Sequence, residues 1–326
     1  MLNGSGRATA WLLCVMTLLA CIGATEGVST PARHIHDPVI IRDGRWYYLF
    51  STGPGIFVHR STDLVHWHPL GKVFSKNIPT WAPRIVPGSK GVWAPSITYG
   101  NGQYRLYYAV STFGSNRSAI GLITTPTLNP ASAKFHWKDQ GIVVRSHRTG
   151  DFNAIDPYPF TSPKDKQVLV FGSFWSGIKM VALDERTGLV QRDARLQSLA
   201  FRPVSNAIEA PCLYFHAGWY YLFLSFDYCC RGVHSTYNIR VGRSRQLQGP
   251  YFDASGKSLM EGGGTPLLAT RGNFIGPGHC SVLETRRQPF LVYHYYDGAD
   301  HGIPTLQLRP LRFSAAGWPI LGSPIN

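Results

Sequence analysis

Three carboxylates stand at matching places in this chain. Asp37 lies in His36-Asp37-Pro38, Asp156 in Ile155-Asp156-Pro157 and Glu209 in Ile208-Glu209-Ala210-Pro211. Each opens a segment that runs into an aromatic, strand-like stretch. An acid recurring at the same point of a repeated unit implies units set around one axis, with the acids facing a shared space. Cleavage of a glycosidic bond needs one carboxyl group to protonate the leaving oxygen and another to activate water. A third carboxylate near the donor raises the donor's pKa by like-charge repulsion. A lone Asp before Pro reads as a turn or strand-start residue; the threefold match is what points to chemistry. Asp63, Asp184 and Asp253 sit in turn-like contexts and read as solvated turn residues.

The elements that must position these acids form a repeat. The first unit runs from His36-Asp37-Pro38 through Val39-Ile40-Ile41, a turn at Arg42-Asp43-Gly44, and Arg45-Trp46-Tyr47-Tyr48-Leu49-Phe50. The second starts at Trp93-Ala94-Pro95, the third at Asp156-Pro157, the fourth at Glu209-Ala210-Pro211 and the fifth at Gly276-Pro277-Gly278-His279. In the fourth, Gly218-Trp219-Tyr220-Tyr221-Leu222-Phe223 nearly copies the second strand of the first. The starts at 37, 93, 156, 209 and 279 lie 56, 63, 53 and 70 residues apart. Strand-built repeats near this length are propeller blades, and the extra length goes into loops. No extended amphipathic pattern interrupts them, and no Pro/Ser-rich or charged linker divides the chain. The expectation is all-β: one five-bladed β-propeller domain over residues 32–326. The first strand of each blade lines the channel, so the starts gather at one mouth in the order Asp37, Trp93, Asp156, Glu209, His279.

Composition narrows the function. The 326 residues carry a net charge of +14, yet the basic residues are dispersed. With no Lys/Arg run, zinc-finger spacing or helix-turn-helix pattern, nucleic-acid binding is not expected. A diffuse basic surface suits solubility or weak attraction to a polyanion such as pectin. The 9 Trp, 16 Tyr and 17 Phe serve mostly as strand and core packing, with a share left for sugar-stacking surface.

The first residues read as an export signal over 1–24. Arg7 supplies the positive charge, Ala8 to Ala20 an apolar stretch too short to span a membrane, and Ala24 a cleavage site. Leu18-Leu19-Ala20-Cys21 also resembles a lipoprotein box, which would leave Cys21 lipid-anchored. The chain is thus expected to be secreted or periplasmic, without a transmembrane segment, and monomeric. Cys212, Cys229, Cys230 and Cys280 remain after cleavage. Their spacing fits no structural zinc site, and their pairing is left open. A bridge between the neighbours Cys229 and Cys230 would be strained.

Taken together, these residues resemble an endo-α-1,5-L-arabinanase of glycoside hydrolase family 43. The likeness covers nearly all of residues 34–322. It rests on the three acidic openings and on Gly172-Ser173-Phe174-Trp175-Ser176-Gly177-Ile178, Phe226-Asp227-Tyr228-Cys229-Cys230-Arg231-Gly232, Ser235-Thr236-Tyr237-Asn238, Gly262-Gly263-Gly264-Thr265 and Leu306-Gln307-Leu308-Arg309-Pro310-Leu311. The resemblance implies an inverting hydrolase of arabinan, the arabinan being attached to pectin. Asp37 would activate water, Glu209 would protonate the leaving oxygen, and Asp156 would tune and orient Glu209. It implies a largely water-coordinated calcium ion beside His279. Trp93 and Phe113 would wall or stack on arabinose rings, with His36, Asn153, Ser173 and Trp175 as further substrate contacts. Other readings on the same fold are an exo-acting arabinanase, an arabinofuranosidase, a β-xylosidase, or a non-catalytic carbohydrate-binding propeller.

Overall fold

The computed structural model describes Met1 and residues 32–325. The export signal and Cys21 therefore lie outside the described residues. Twenty strands form five four-stranded antiparallel sheets, each a simple meander in chain order. Blade 1 holds β1–β4 (Val39–Asp43, Trp46–Ser51, Phe57–Ser61, His68–Lys72). Blade 2 holds β5–β8 (Trp93–Gly100, Gln103–Val110, Ala119–Thr125, Lys138–Arg145), and blade 3 holds β9–β12 (Tyr158–Thr161, Gln167–Phe171, Ile178–Ala182, Gln197–Ala200). Blade 4 holds β13–β16 (Ile208–His216, Trp219–Phe226, Asn238–Ser244, Thr265–Leu268), and blade 5 holds β17–β20 (Phe274–Leu283, Phe290–Asp297, Ile303–Phe313, Pro319–Leu321). This is the five-bladed β-propeller expected from the repeat.

The second strands of the blades read as unbroken apolar runs because each is buried on both faces. Successive side chains of a strand point to opposite sides, and here the two sides face different neighbouring blades. In β2, Tyr48 and Phe50 pack toward Ile97, Leu106 and Tyr108 of blade 2, while Leu49 packs toward Val292, Leu306 and Leu308 of blade 5. In β14, Leu222 and Leu224 join Val168, Val170 and Met180 of blade 3, while Tyr221 and Phe223 join Leu291 and Tyr293 of blade 5. Tyr107 of β6 joins Leu169 and Phe171 of blade 3. The core is thus a ring of five interblade clusters.

The ring is closed by the segment just before blade 1. Arg33 bridges Thr305 of β19, Ile35 N–H donates to Pro304 O (3.0 Å), and Leu306 N–H donates to Ala32 O (2.9 Å). These bonds hold the segment before blade 1 against β19 of blade 5.

Candidate active site

One backbone device recurs at all five blade openings. Asp37, Ala94, Asp156, Ala210 and His279 all adopt left-handed conformations, with φ of 52°, 47°, 56°, 52° and 50°. Such values are unfavourable for residues other than Gly and collect at functional sites. The pairing of β5, β13 and β17 with their neighbours shifts register at the same points. At each opening the left-handed residue, the one before it, or both line the cleft: His36 and Asp37, Trp93, Ile155 and Asp156, Glu209, and His279.

This register corrects the expected order around the ring. Glu209 and Trp93 are not equivalent to Asp37, Asp156 and His279; they stand one residue earlier, where blade 1 carries His36. Either of two adjacent positions can face the cleft, so an alignment on acids alone slips by one between blades. The cleft is lined all the same by every residue singled out from the sequence: Asp37, Asp156, Glu209, His36, Trp93, Phe113, Asn153, Ser173, Trp175 and His279. Its volume is about 930 Å³.

The three acids sit in contrasting surroundings. Asp37 is buried among imidazoles: its Oδ1 lies 2.8 Å from His36 Nδ1, 3.1 Å from His279 Nδ1 and 3.9 Å from His294 Nδ1. Its Oδ2 accepts the Thr52 hydroxyl. That hydroxyl oxygen accepts in turn from Ala94 N–H (2.8 Å), linking blades 1 and 2. Burial alone would raise the Asp37 pKa, but His279, His36 and His294 outweigh it and hold the carboxyl far below its usual range. Asp37 is therefore ionised throughout the working pH range.

Glu209 and Asp156 are shifted the other way. Burial is the main cause for both. For Asp156 the charges of Glu209 and Asp37 add to it, against one Ala210 N–H donated to Oδ2 (3.1 Å). For Glu209 the Asp37 charge adds to burial, against the Tyr237 hydroxyl on Oε1 and the Ser173 hydroxyl on Oε2, both at 2.7 Å. These two carboxyls titrate as one unit, and the unit keeps a proton to higher pH than a free carboxyl does. Desolvation is the larger cause, where the sequence reading relied on like-charge repulsion. A carboxylate held ionised and a carboxyl pair that keeps a proton to higher pH thus face one cleft, the contrast that acid/base hydrolysis needs.

Several expected sugar contacts have protein partners as well. The Ser173 hydroxyl is given to Glu209. His36 Nε2 lies 2.8 Å from the Tyr296 hydroxyl. Buried Asn153 accepts the Ser118 hydroxyl on Oδ1 (2.7 Å). The open aromatic surface belongs to Phe113, which is 79 % exposed. Its ring centroid stands 5.0 Å from that of Trp93. Thr52, Tyr237, His294 and Tyr296 were missed from sequence. Tyr237 lies within one of the quoted stretches, but His294 and Tyr296 occupy strand positions that read as ordinary packing, and Thr52 stands in the bend just after β2.

Cys229 and Cys230 form a disulfide on the cleft wall, the bridge that looked disfavoured from sequence. Cys230 is left-handed, with φ of 66°. Cys212 and Cys280 are buried free thiols.

The surroundings of His279 do not form a calcium cage. Calcium takes six to eight oxygen ligands. His279 turns Nδ1 toward Asp37, leaving one ring nitrogen for an ion. Among the described residues, the clustered donor groups are His36–Cys229–Cys230 and His36–Asp37–His294, and His279 is in neither. In the second group, His294 Nδ1 accepts Asp37 N–H (3.2 Å), so its buried Nε2 carries the proton and cannot ligate a cation.

A glycine secures the hold on Glu209. A Cβ at Gly278 would run into the ring of Tyr237, which is fully buried and cannot retreat. Gly278→Ala is expected to displace the Tyr237 hydroxyl from Glu209, lowering kcat at least tenfold and stability by about 1–3 kcal/mol. Steady-state kinetics and urea unfolding check this; wild-type values in both would show that Tyr237 has room to move.

The family model for glycosyl hydrolases family 43 matches residues 31–319. The chain belongs to glycoside hydrolase family 43. Within this family it is 43 % identical over 291 residues to extracellular endo-alpha-(1->5)-L-arabinanase 1 of Bacillus subtilis, covering 87 % of each chain. It is 39 % identical to extracellular exo-alpha-(1->5)-L-arabinofuranosidase ArbA of Cellvibrio japonicus, covering 95 % of this chain and 92 % of that one. The family 43 fold is equally close in solved structures. The Cellvibrio cellulosa alpha-L-arabinanase complexed with arabinohexaose superposes with a TM-score of 0.86 at 37 % identity, covering 90 % of this chain and 96 % of that one. Among the described residues, no helix is long and apolar enough to cross a membrane.

Proposed function

We propose that this family 43 hydrolase cuts internal α-1,5-L-arabinofuranosidic bonds of arabinan, with inversion, outside the cytoplasm. The observation that carries the reading is the contrast, in one cleft, between Asp37 held ionised by three imidazoles and Glu209 pushed by burial toward keeping its proton. Asp37 takes a proton from water as that water attacks the anomeric carbon. Glu209 gives its proton to the departing glycosidic oxygen. Asp156 shares the proton-holding unit with Glu209 and grips the backbone next to it through Ala210 N–H.

Endo action is favoured by apolar walls on two sides of the acids. Trp93 and Phe113 stand on blade 2, and Tyr228 with the Cys229–Cys230 bridge on blade 4. A chain bound to both walls would place an internal bond over the acids. Relatives named as extracellular support export, and the basic surplus suits arabinan attached to a polyanion such as pectin.

The test is product size over time on debranched arabinan, with proton NMR of the new reducing end. Mixed oligosaccharides of inverted configuration are expected early. Arabinose alone, or one fixed short product, would mean exo action. No cleavage would leave a carbohydrate-binding propeller. In the same assay Phe113→Ala is expected to raise KM about 5- to 13-fold with kcat nearly unchanged, since a ring stack is worth about 1–1.5 kcal/mol. Thermal unfolding should barely move, because the ring is open to solvent.

A further inference from the structure

The Cys229–Cys230 bridge lies in the loop joining β14 to β15 of blade 4, across the cleft wall from Asp37 on blade 1. Three contacts in series run from this loop to Asp37. Cys230 N–H donates to the Tyr296 hydroxyl oxygen at 2.8 Å. The same oxygen lies 2.8 Å from His36 Nε2, and His36 Nδ1 lies 2.8 Å from Asp37 Oδ1. Cys230 Sγ adds a direct contact, 3.7 Å from His36 Nε2. The loop base is pinned separately: Asp227 accepts from Arg202 Nη1 (2.8 Å) and from Asn238 Nδ2 (2.7 Å). The region from Cys230 to Ser235 is a tight turn, with Arg231 N–H on Ser235 Oγ at 3.0 Å. Between the anchored base and this turn, the direction of Cys230 N–H depends on the covalent ring that joins the two cysteines.

We propose that the Cys229–Cys230 disulfide is a positioning element for the water-activating carboxylate: it aims Cys230 N–H at Tyr296, which orients the His36 ring, which in turn orients Asp37. The proposal rests on the reading of Asp37 as the base. The groups facing His36 are Asp37 from blade 1, Glu209 from blade 4, and His279, His294 and Tyr296 from blade 5. Burial would lower the His36 pKa, but Asp37 and Glu209 outweigh it and favour the protonated ring. The Tyr296 oxygen then receives two donors, Nε2–H of His36 and N–H of Cys230. Cys230 N–H and the Ser235 hydroxyl hold the phenol against rotation of the His36 ring, and loss of the first weakens that hold. A base displaced by a fraction of an ångström loses rate without losing substrate affinity.

A double-mutant cycle tests this in the full-length enzyme on debranched arabinan. The variants are Tyr296→Phe, Cys229→Ser/Cys230→Ser, and all three changes together. The first two are each expected to lower kcat on the order of 10- to 100-fold with KM nearly unchanged. The combined variant should be no worse than the poorer of the two, because both cut one path. Losses that multiply would overturn the proposal. So would a serine variant that raises KM at unchanged kcat, since the bridge would then be only a substrate wall. Tyr296→Phe removes a single hydroxyl and keeps the test decisive if the serine variant unfolds; wild-type kcat in it overturns the proposal. Asp37→Asn is assayed alongside. An active Asp37→Asn enzyme refutes the base reading itself, whereas an inactive one with a multiplicative cycle refutes only the positioning role.

Discussion

Glu209→Gln is expected to lower kcat on arabinan by about 10²–10⁴-fold, the usual worth of a positioned general acid, with the fold intact. Gln fills the same volume, and its amide oxygen can still accept from Ser173 or Tyr237, so the buried site keeps partners. What it cannot do is release a proton to the leaving oxygen. The loss should therefore depend on the leaving group. An aryl arabinofuranoside whose phenolate departs without protonation should be cleaved by the variant at a rate much closer to wild type. Equal loss on both substrates would show that Glu209 is not the acid. Circular dichroism and the thermal midpoint check that the fold survives.

Asp37→Asn should cost as much, but without that dependence: kcat is expected to fall by about 10²–10⁴-fold on both substrates, because water must be activated whichever group leaves. An effect confined to arabinan would exchange the assigned roles of Asp37 and Glu209. The substitution also changes stability in a predictable direction. The folded-state pKa of Asp37 lies below its unfolded value, so its ionised form stabilises the protein above the unfolded pKa of about 3.9. That contribution is lost as pH falls below this value toward the folded-state pKa. The variant lacks it at neutral pH, and leaves His36, His279 and His294 without their counter-charge. Urea midpoints at pH 7 and near pH 5 should therefore differ more in Asp37→Asn than in wild type, because the buried His36 ring loses the charge that favours its protonated form. An equal pH dependence in the two proteins would mean that Asp37 is not the low-pKa group.

The sequence by itself determined the architecture. Five openings before apolar runs, spaced at 56, 63, 53 and 70 residues, repeat because each blade must bury both faces against its neighbours and present one end to the channel. It also determined which acids meet, since a closed ring brings residues 119 and 53 positions apart to one mouth. Tyr293-His294-Tyr295-Tyr296, by contrast, looks like any buried strand, although His294 and Tyr296 reach Asp37 directly or through His36. Thr52 gives no signal either, because its role depends on blade 2 placing Ala94 N–H beside it.

Only the tertiary structure decided the register of the openings, the pairing of Cys229 with Cys230, and the protonation of the acids. A left-handed residue at each opening shifts equivalence by one position, which side-chain type cannot reveal. Local chain geometry brings the two neighbouring sulfurs together, with Cys230 at φ of 66°. The pKa values of Asp37 and Glu209 part in opposite directions because three imidazoles from blades 1 and 5 surround one acid, while burial and hydroxyl donors surround the other. Charge and desolvation act over a few ångströms of space, and those neighbours are up to 257 residues away along the chain.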